Sequence, residues 1–298
     1  MNSTQKSVFI TGASSGIGRD CALTLDRAGY RVFAGVRNER DAEALRSVAS
    51  QKLTPVLCDV VDYASVASAA QRVRELLAGA GLDGLVNNAG LSLSGPLELM
   101  PMSRFELQMA VNVHGQVAVT QAFLPLLRQN RGRVVFMGSE SGLATLPLLG
   151  AYSASKHALE AVANAFRLEL RDFGIRVALI EPGSIKTAIW GKAVDDGTRS
   201  LKDDPELRAL YATKLPLLSS VPKLAEKMAI PSSVVTRSVR HALTARWPRA
   251  RYLVGAEARA LTLFVALTPT WLSDFFIRLS LGQLAKRMAP RLVPLSQT

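Results

Sequence analysis

Tyr152 and Lys156, in the run Ala151-Tyr152-Ser153-Ala154-Ser155-Lys156, are a phenol and an amine four residues apart in a helix-patterned segment. That spacing brings both side chains out on one face, one turn apart. An ammonium beside a phenol favours the phenolate, so the pair predicts a tyrosine pKa drawn down from about 10 toward neutrality. Such a group can donate or accept a proton as a general acid or base. Alone the pair is weak, because Tyr-x-x-x-Lys on a helix arises often by chance. The bland alternative is a half-buried helix tyrosine.

A second constellation stands near the N-terminus. Residues 6–10 read as a short buried strand, and Thr11-Gly12-Ala13-Ser14-Ser15-Gly16-Ile17-Gly18 follows at once. A helical pattern through Cys21, Leu23 and Leu25 then runs to about Gly29. Strand, glycine-rich turn and helix is the context that a phosphate-binding turn requires. Gly12, Gly16 and Gly18 permit a tight turn and close backbone approach. The helix N-terminus around Ser15 and Ile17 offers free N–H groups to a pyrophosphate, and Ser14 adds a hydroxyl. The next strand ends at Val36, and Arg37 follows. Folds that bind NAD usually carry an acid there, about 20 residues past the glycines. A guanidinium in its place predicts a 2′-phosphate, hence NADP in preference to NAD.

With these features the chain resembles the classical short-chain dehydrogenase/reductase family along nearly all of its length. Besides Thr11–Gly18, the matching motifs are Asp59-Val60, Asn87-Asn88-Ala89-Gly90, Asn112 in Val111-Asn112-Val113, and Ser139, thirteen residues before Tyr152. Pro182-Gly183, Ile185 and Thr187 complete the set. The resemblance implies a catalytic group of Asn112, Ser139, Tyr152 and Lys156. Tyr152 would exchange a proton with the carbonyl or alcohol oxygen, and Ser139 would stabilise charge developing on that oxygen. Lys156 would bind the nicotinamide ribose, and Asn112, through a helix irregularity, would serve a proton relay. Asp59, Val60, Asn88, Ala89, Gly90, Tyr152, Lys156, Pro182, Gly183, Ile185 and Thr187 would join the glycine turn and Arg37 in holding NADP(H). Ser141 is a competing serine, and the thirteen-residue offset favours Ser139. Gly138 to Leu143, Tyr152 to Glu160 and Arg251 to Gly255 are similar to the 17β-hydroxysteroid and retinol dehydrogenase branch. That likeness implies a lipophilic alcohol or carbonyl substrate.

Positioning these residues demands an α/β fold. Strand-like runs near 6–11, 31–36, 54–58, 83–87, 132–138 and 175–181 alternate with helical ones near 16–28, 39–50, 62–79, 103–129 and 152–173. Arg251–Val254 is a candidate seventh strand. The alternation predicts a Rossmann-type, doubly wound parallel sheet with helices on both faces, and ligands at the strands' carboxyl ends. At 298 residues and 48% hydrophobic content the chain can bury a full core as a single domain, 1–298. Residues 188–230 are expected to form a helical substrate lid and 256–298 a C-terminal helical extension. Apolar runs at Ala188-Ile189-Trp190, Leu210-Tyr211 and Leu215–Leu218, with Leu143–Leu149 opposite, predict a lipophilic site. The same residues could instead be ordinary core.

Other features narrow the function by exclusion. Cys21 and Cys58 are isolated, as are His114, His157 and His241, and no metal-ligand spacing occurs. Reduced structural cysteines and the lack of an apolar N-terminal leader predict a cytoplasmic protein. Net charge is +12, concentrated in residues 240–298, where nine Lys and Arg face Glu257 and Asp274. No nucleic-acid motif accompanies it, so nucleic acid is not an expected partner. Ala260 to Ser273 is uncharged but interrupted by Pro269, short of the ~20 residues that span a bilayer. This segment is a candidate peripheral membrane contact. Packing of its apolar face on the lid or a neighbouring subunit is the preferred alternative. A homo-oligomer, dimer or tetramer, is expected. The competing function is an NADP(H)-binding sensor or scaffold without turnover, which would have no need of a proton donor.

Overall fold

The computed structural model describes residues 5–186, 201–212, 214, 215, 217, 218, 227 and 229–288, with the side chains of 280–288 left aside. Its centre is a seven-stranded parallel sheet in the order β3-β2-β1-β4-β5-β6-β7. The strands are β1 (Ser7–Ile10), β2 (Arg31–Val36), β3 (Leu53–Leu57), β4 (Gly84–Asn87), β5 (Arg133–Met137), β6 (Arg176–Pro182) and β7 (Arg251–Val254). The expected doubly wound sheet is therefore present, including the seventh strand, which pairs in parallel with β6 from Leu179↔Arg251 to Pro182↔Val254.

Alternation along each strand feeds two cores. Phe9, Phe33, Val134 and Phe136 point to one face, where α3 (Tyr63–Leu77), α5 (Gly115–Asn130) and α6 (Gly150–Glu169) cover them. Val8, Ile10, Val32, Val135 and Met137 point to the other, under α1 (Gly16–Arg27), α2 (Glu39–Arg46) and α8 (Ser232–Thr244). Burial on both faces explains why the strands read as continuous apolar runs. Phe9 stacks on Phe123 with ring centroids 4.3 Å apart, tying β1 to α5.

Two expected helices differ from their sequence ranges. The segment expected to be one helix over 103–129 is α4 (Met102–Met109), a π-turn (Ala110–His114) and then α5. The helix expected to reach residue 50 ends at Arg46, and a turn then leads into β3. Asp26 accepts from the Ser50 backbone N–H there, which draws the chain back toward α1.

Within the expected lid, α7 (Pro205–Leu210) is capped by Asp204, whose carboxylate accepts from Leu207 N. Leu201, Leu207, Tyr211, Leu215 and Leu218 pack with Leu99 and Leu148 in one apolar cluster. Ala188–Gly191, Asp195–Gly197 and Pro216 lie outside the described residues. Two further helices, α9 (Ala256–Leu267) and α10 (Thr270–Met288), are separated at Pro269. Leu263, Leu267, Trp271, Phe275, Phe276 and Leu279 are exposed, while Ala258 and Ser273 are buried. Among the described residues, no helix is long and apolar enough to cross a membrane.

Candidate active site

The sheet order reverses between β1 and β4, and there the two connections leave in opposite directions, opening a crevice at the carboxyl ends. The glycine turn enters it from β1 and Asn88-Ala89-Gly90 from β4. Thr11 locks the two together: its Oγ1 accepts from Asn88 N and Ala89 N, both at 2.9 Å. Asn88 Nδ2 donates in turn to the carbonyls of Thr11 and Gly12 at 3.0 and 3.2 Å.

The glycines are required by this closeness. Gly12 has φ +64°, and a Cβ there would lie 2.9 Å from Ala89 Cα. Gly16 is also at positive φ, and a Cβ on Gly18 would strike the Gly12 carbonyl and Asn88 Nδ2. Ser15 caps α1 with extended backbone and makes no side-chain cap hydrogen bond. The loop thus presents a cradle of backbone and small side chains at a helix N-terminus, and the residues present fit a dinucleotide pyrophosphate. Arg37 is exposed at the end of β2, and Asp59, partly buried beyond β3, accepts from Val61 N at 3.2 Å. Val60 is buried against Gly115, where α5 begins.

The opposite wall carries the four expected catalytic residues. Ser139 leaves β5 as the cap of a 3₁₀ turn over Glu140–Gly142, and its Oγ accepts from Ser141 N at 3.2 Å. Tyr152 and Lys156 stand on the first turns of α6, with Lys156 Nζ 5.7 Å from the Tyr152 ring centroid. Asn112 is fully buried at the centre of the π-turn, where the widened helix turns its side chain inward. Asn112 Nδ2 donates to Leu91 O and Ser155 Oγ at 2.9 and 3.0 Å, and Oδ1 accepts from Leu91 N. One point above Gly90 lies 3.4 Å from Asn112 Oδ1 and 3.9 Å from Lys156 Nζ, so the amide and the amine border the same space.

The electrostatics correct one expectation. Tyr152 is not acidified in this arrangement: burial pushes it up to about 12, and the nearby Glu140 charge adds to the rise. Hydrogen bonding with Ser139 pulls the other way. Lys156 donates to Met137 O at 2.7 Å, and burial pulls it down to about 8, against the supporting charge of Glu160. Desolvation is the first cause of both shifts, since burial penalises phenolate and ammonium alike.

Beyond the sheet, Pro182 ends β6, Gly183 N donates to Val254 O at 3.0 Å, and Ser184 N donates to Glu257 Oε1 at 2.7 Å. Ile185 is buried and bridged to Ile230. Thr187, the remaining expected cofactor residue, lies outside the described residues. The Leu143–Leu149 wall holds Leu148 at φ +70°, an unfavourable conformation for a branched side chain, with its carbonyl accepting from Gly95 N.

Some groups at the site escaped the sequence reading. Thr11 was visible within its motif, but its double acceptor role was not. Ser155 and Gln116 fix Asn112 and Ala89, through Asn112 Nδ2 to Ser155 Oγ and Gln116 Nε2 to Ala89 O at 3.0 Å. Glu140, next to Ser139, is pushed up to about 7 by burial and then by Glu257. A carboxylate after a serine reads in sequence as a surface turn. The cysteines are free and buried, with both thiols pushed up to about 12 chiefly by desolvation. His241 Nδ1 pairs with the Tyr252 hydroxyl at 2.8 Å, away from the site. Among the described residues, no group of His, Cys, Asp and Glu could hold a metal ion.

A seven-stranded parallel sheet with a glycine cradle at its switch point and a Ser–Tyr–Lys face opposite is the architecture of a dinucleotide-dependent oxidoreductase. The short chain dehydrogenase family model matches residues 6–197, and the chain belongs to that family as an oxidoreductase acting on CH–OH groups. It is 41% identical over 280 residues to Retinol dehydrogenase 16 of Homo sapiens, covering 90% of this chain and 86% of that one. It is 36% identical over 289 residues to Estradiol 17-beta-dehydrogenase 2 of Mus musculus, covering 92% and 74%. Among solved structures, a short chain dehydrogenase from Burkholderia cenocepacia in complex with NADP is similar with a TM-score of 0.70 and 25% identity, covering 91% of this chain and 96% of that one.

Proposed function

We propose that the protein is an NADP(H)-dependent dehydrogenase/reductase that interconverts a lipophilic primary or secondary alcohol, of steroid, retinoid or related lipid type, with its aldehyde or ketone. The carrying observation is the convergence of Ser139, Tyr152, Lys156 and Asn112 on one wall of the crevice, facing the glycine cradle. The bound nicotinamide would supply or accept the hydride. Tyr152 gives its hydroxyl proton to the carbonyl oxygen in reduction and takes one from the alcohol in oxidation. Ser139 donates a hydrogen bond to that oxygen as charge builds on it. Lys156 holds ribose hydroxyls, and its ammonium favours the transient phenolate. Asn112 keeps the π-turn open beside Lys156, where a relayed proton can pass.

Arg37, exposed at the end of β2, supports NADP as the dinucleotide, because a guanidinium suits a 2′-phosphate where a carboxylate would repel it. The names of the two curated relatives support a retinoid or steroid substrate, and the apolar character of the lid, where Leu201 and Leu218 pack with Leu99 and Leu148, agrees with it. The exposed apolar side chains of α9 and α10 support a peripheral membrane contact, where such a substrate would partition.

The test is nicotinamide absorbance over a panel of retinols, steroids and aliphatic ketones, with Tyr152→Phe beside the wild type. Turnover on the lipophilic members, abolished by the substitution, is expected. Turnover surviving it would overturn the mechanism, and dinucleotide binding without turnover on any member would favour a sensor.

A further inference from the structure

Behind the catalytic wall, three charged groups from distant parts of the chain meet, two buried carboxylates and a partly exposed guanidinium. Glu160 follows Lys156 by one turn of α6, Glu181 precedes the last residue of β6, and Arg251 opens β7. Glu181 is fully buried and Glu160 nearly so. Arg251 Nη1 donates to Glu181 Oε1 at 2.9 Å, and Nη2 donates to Glu160 Oε2. The two remaining oxygens, Glu160 Oε1 and Glu181 Oε2, are buried with no hydrogen-bond partner. A single guanidinium cannot neutralise two buried carboxylates, and an uncompensated buried charge is costly.

The two carboxylates flank the segment that carries Ser139. A Cβ on Gly138 would lie 3.3 Å from Glu181 Cγ. A Cβ on Gly142 would lie 3.3 Å from Glu160 Cγ and 3.0 Å from the Lys156 carbonyl oxygen. Between those glycines stands Ser139, and just before them stands Met137, whose carbonyl accepts the Lys156 ammonium. A side chain at either glycine would crowd these glutamate side chains together with the Ile180 carbonyl, Leu179 and the α6 backbone at Lys156.

We propose that Glu160, Glu181 and Arg251 are positioning residues that brace the Met137–Gly142 segment against α6 and so set where Ser139 and Lys156 stand relative to Tyr152. This rests on the proton-handling reading given under Proposed function. The Glu181 carboxyl, one of whose oxygens has no partner, keeps its proton at neutral pH. Burial is the first cause and Glu160 the second of a Glu181 carboxyl pushed up to about 9, with Arg251 opposing. The charge of Glu160 supports the Lys156 ammonium. The other titratable groups on this side are Tyr152 on α6, Glu140 on the 3₁₀ turn and Glu257 on α9, which faces Glu140.

The test uses Glu160→Gln, Glu181→Gln and Arg251→Met in the full chain. At pH 8, above the range of Glu140 and below that of Glu181, infrared spectroscopy is expected to find a protonated carboxyl band in the wild type that Glu181→Gln removes. Glu160→Gln is expected to move the alkaline fall of kcat down by about one pH unit, because Lys156 loses a supporting charge, with KM little changed. Arg251→Met, which frees both carboxylates from their brace, is expected to lower kcat with KM little changed. A folded Glu160→Gln enzyme with an unmoved pH profile overturns the proposal, as does a carboxyl band that is absent in the wild type or persists in Glu181→Gln. Glu181→Gln mimics the protonated acid, so it keeps the infrared arm readable if the other two variants do not fold. Turnover surviving in Tyr152→Phe would defeat the proton-handling reading, while the infrared band would still report on the carboxylate pair.

Discussion

The two walls of the crevice are built by opposite means. The wall from β1 and β4 is backbone: glycines without side chains, Thr11 and Asn88 tying one loop to the other, and the start of α1. The wall from β5 and α6 is buried charge: a lysine, a phenol and carboxylates whose proton affinities are displaced by desolvation. A backbone wall tolerates almost no added atom yet does no proton chemistry. A charged wall can accept isosteric replacements, but its chemistry changes with each proton. Substitutions on the two sides should therefore fail in different ways.

The largest effect is expected at Tyr152. Removing its hydroxyl in Tyr152→Phe should lower kcat by roughly 10²–10⁴-fold, the usual worth of a general acid or base, with dinucleotide affinity nearly unchanged in a fluorescence titration. On the backbone wall, Gly18→Ala should do the reverse. Its Cβ has no room against the Gly12 carbonyl, so a loss of about 1–3 kcal/mol in thermal or denaturant unfolding, together with weakened dinucleotide binding, is expected. A folded, tightly binding Gly18→Ala protein would erase the contrast. Arg37→Asp comes next: the NADP/NAD ratio of kcat/KM should fall by about tenfold or more, as one charge-assisted contact becomes a repulsion. An unmoved ratio would remove Arg37 from the cofactor site.

The remaining effect is a pH dependence on the charged wall. Lys156 is depressed from its ordinary 10.5 to about 8 in the folded chain. The folded state therefore holds its proton less well than the unfolded one between those values. Its contribution to stability is full above about 10.5 and is lost as pH falls through about 8. The Tm difference between wild type and Lys156→Met should change across that window and level off below it. A constant difference from pH 7 to 10.5 would mean that the amine is not desolvated as the structure has it.

Much of the backbone wall was legible from neighbouring residues. Gly12, Gly16 and Gly18 between a strand and a helix predict a cradle, because the conformational need and the residues that meet it are contiguous in the chain. The strand order was legible to the extent that alternating apolar runs imply a parallel sheet. The π-turn was legible only through the family resemblance, which implied a helix irregularity at Asn112: the helical pattern over 103–129 carries no local mark of the extra residue in its turn. The fall in Tyr152 pKa expected from the Tyr152–Lys156 spacing was likewise misleading, since spacing reports adjacency and not desolvation.

Residue types and their order were enough to specify the fold class, the glycine cradle and the amino acids able to move a proton, because these follow from local backbone requirements and from side-chain chemistry. The proton affinities on the charged wall, the meeting of Glu160, Glu181 and Arg251 behind it, and the exposure of Trp271 and Phe275 came from long-range packing. Burial is a property of what the rest of the chain places around a group, and no short window of sequence contains it.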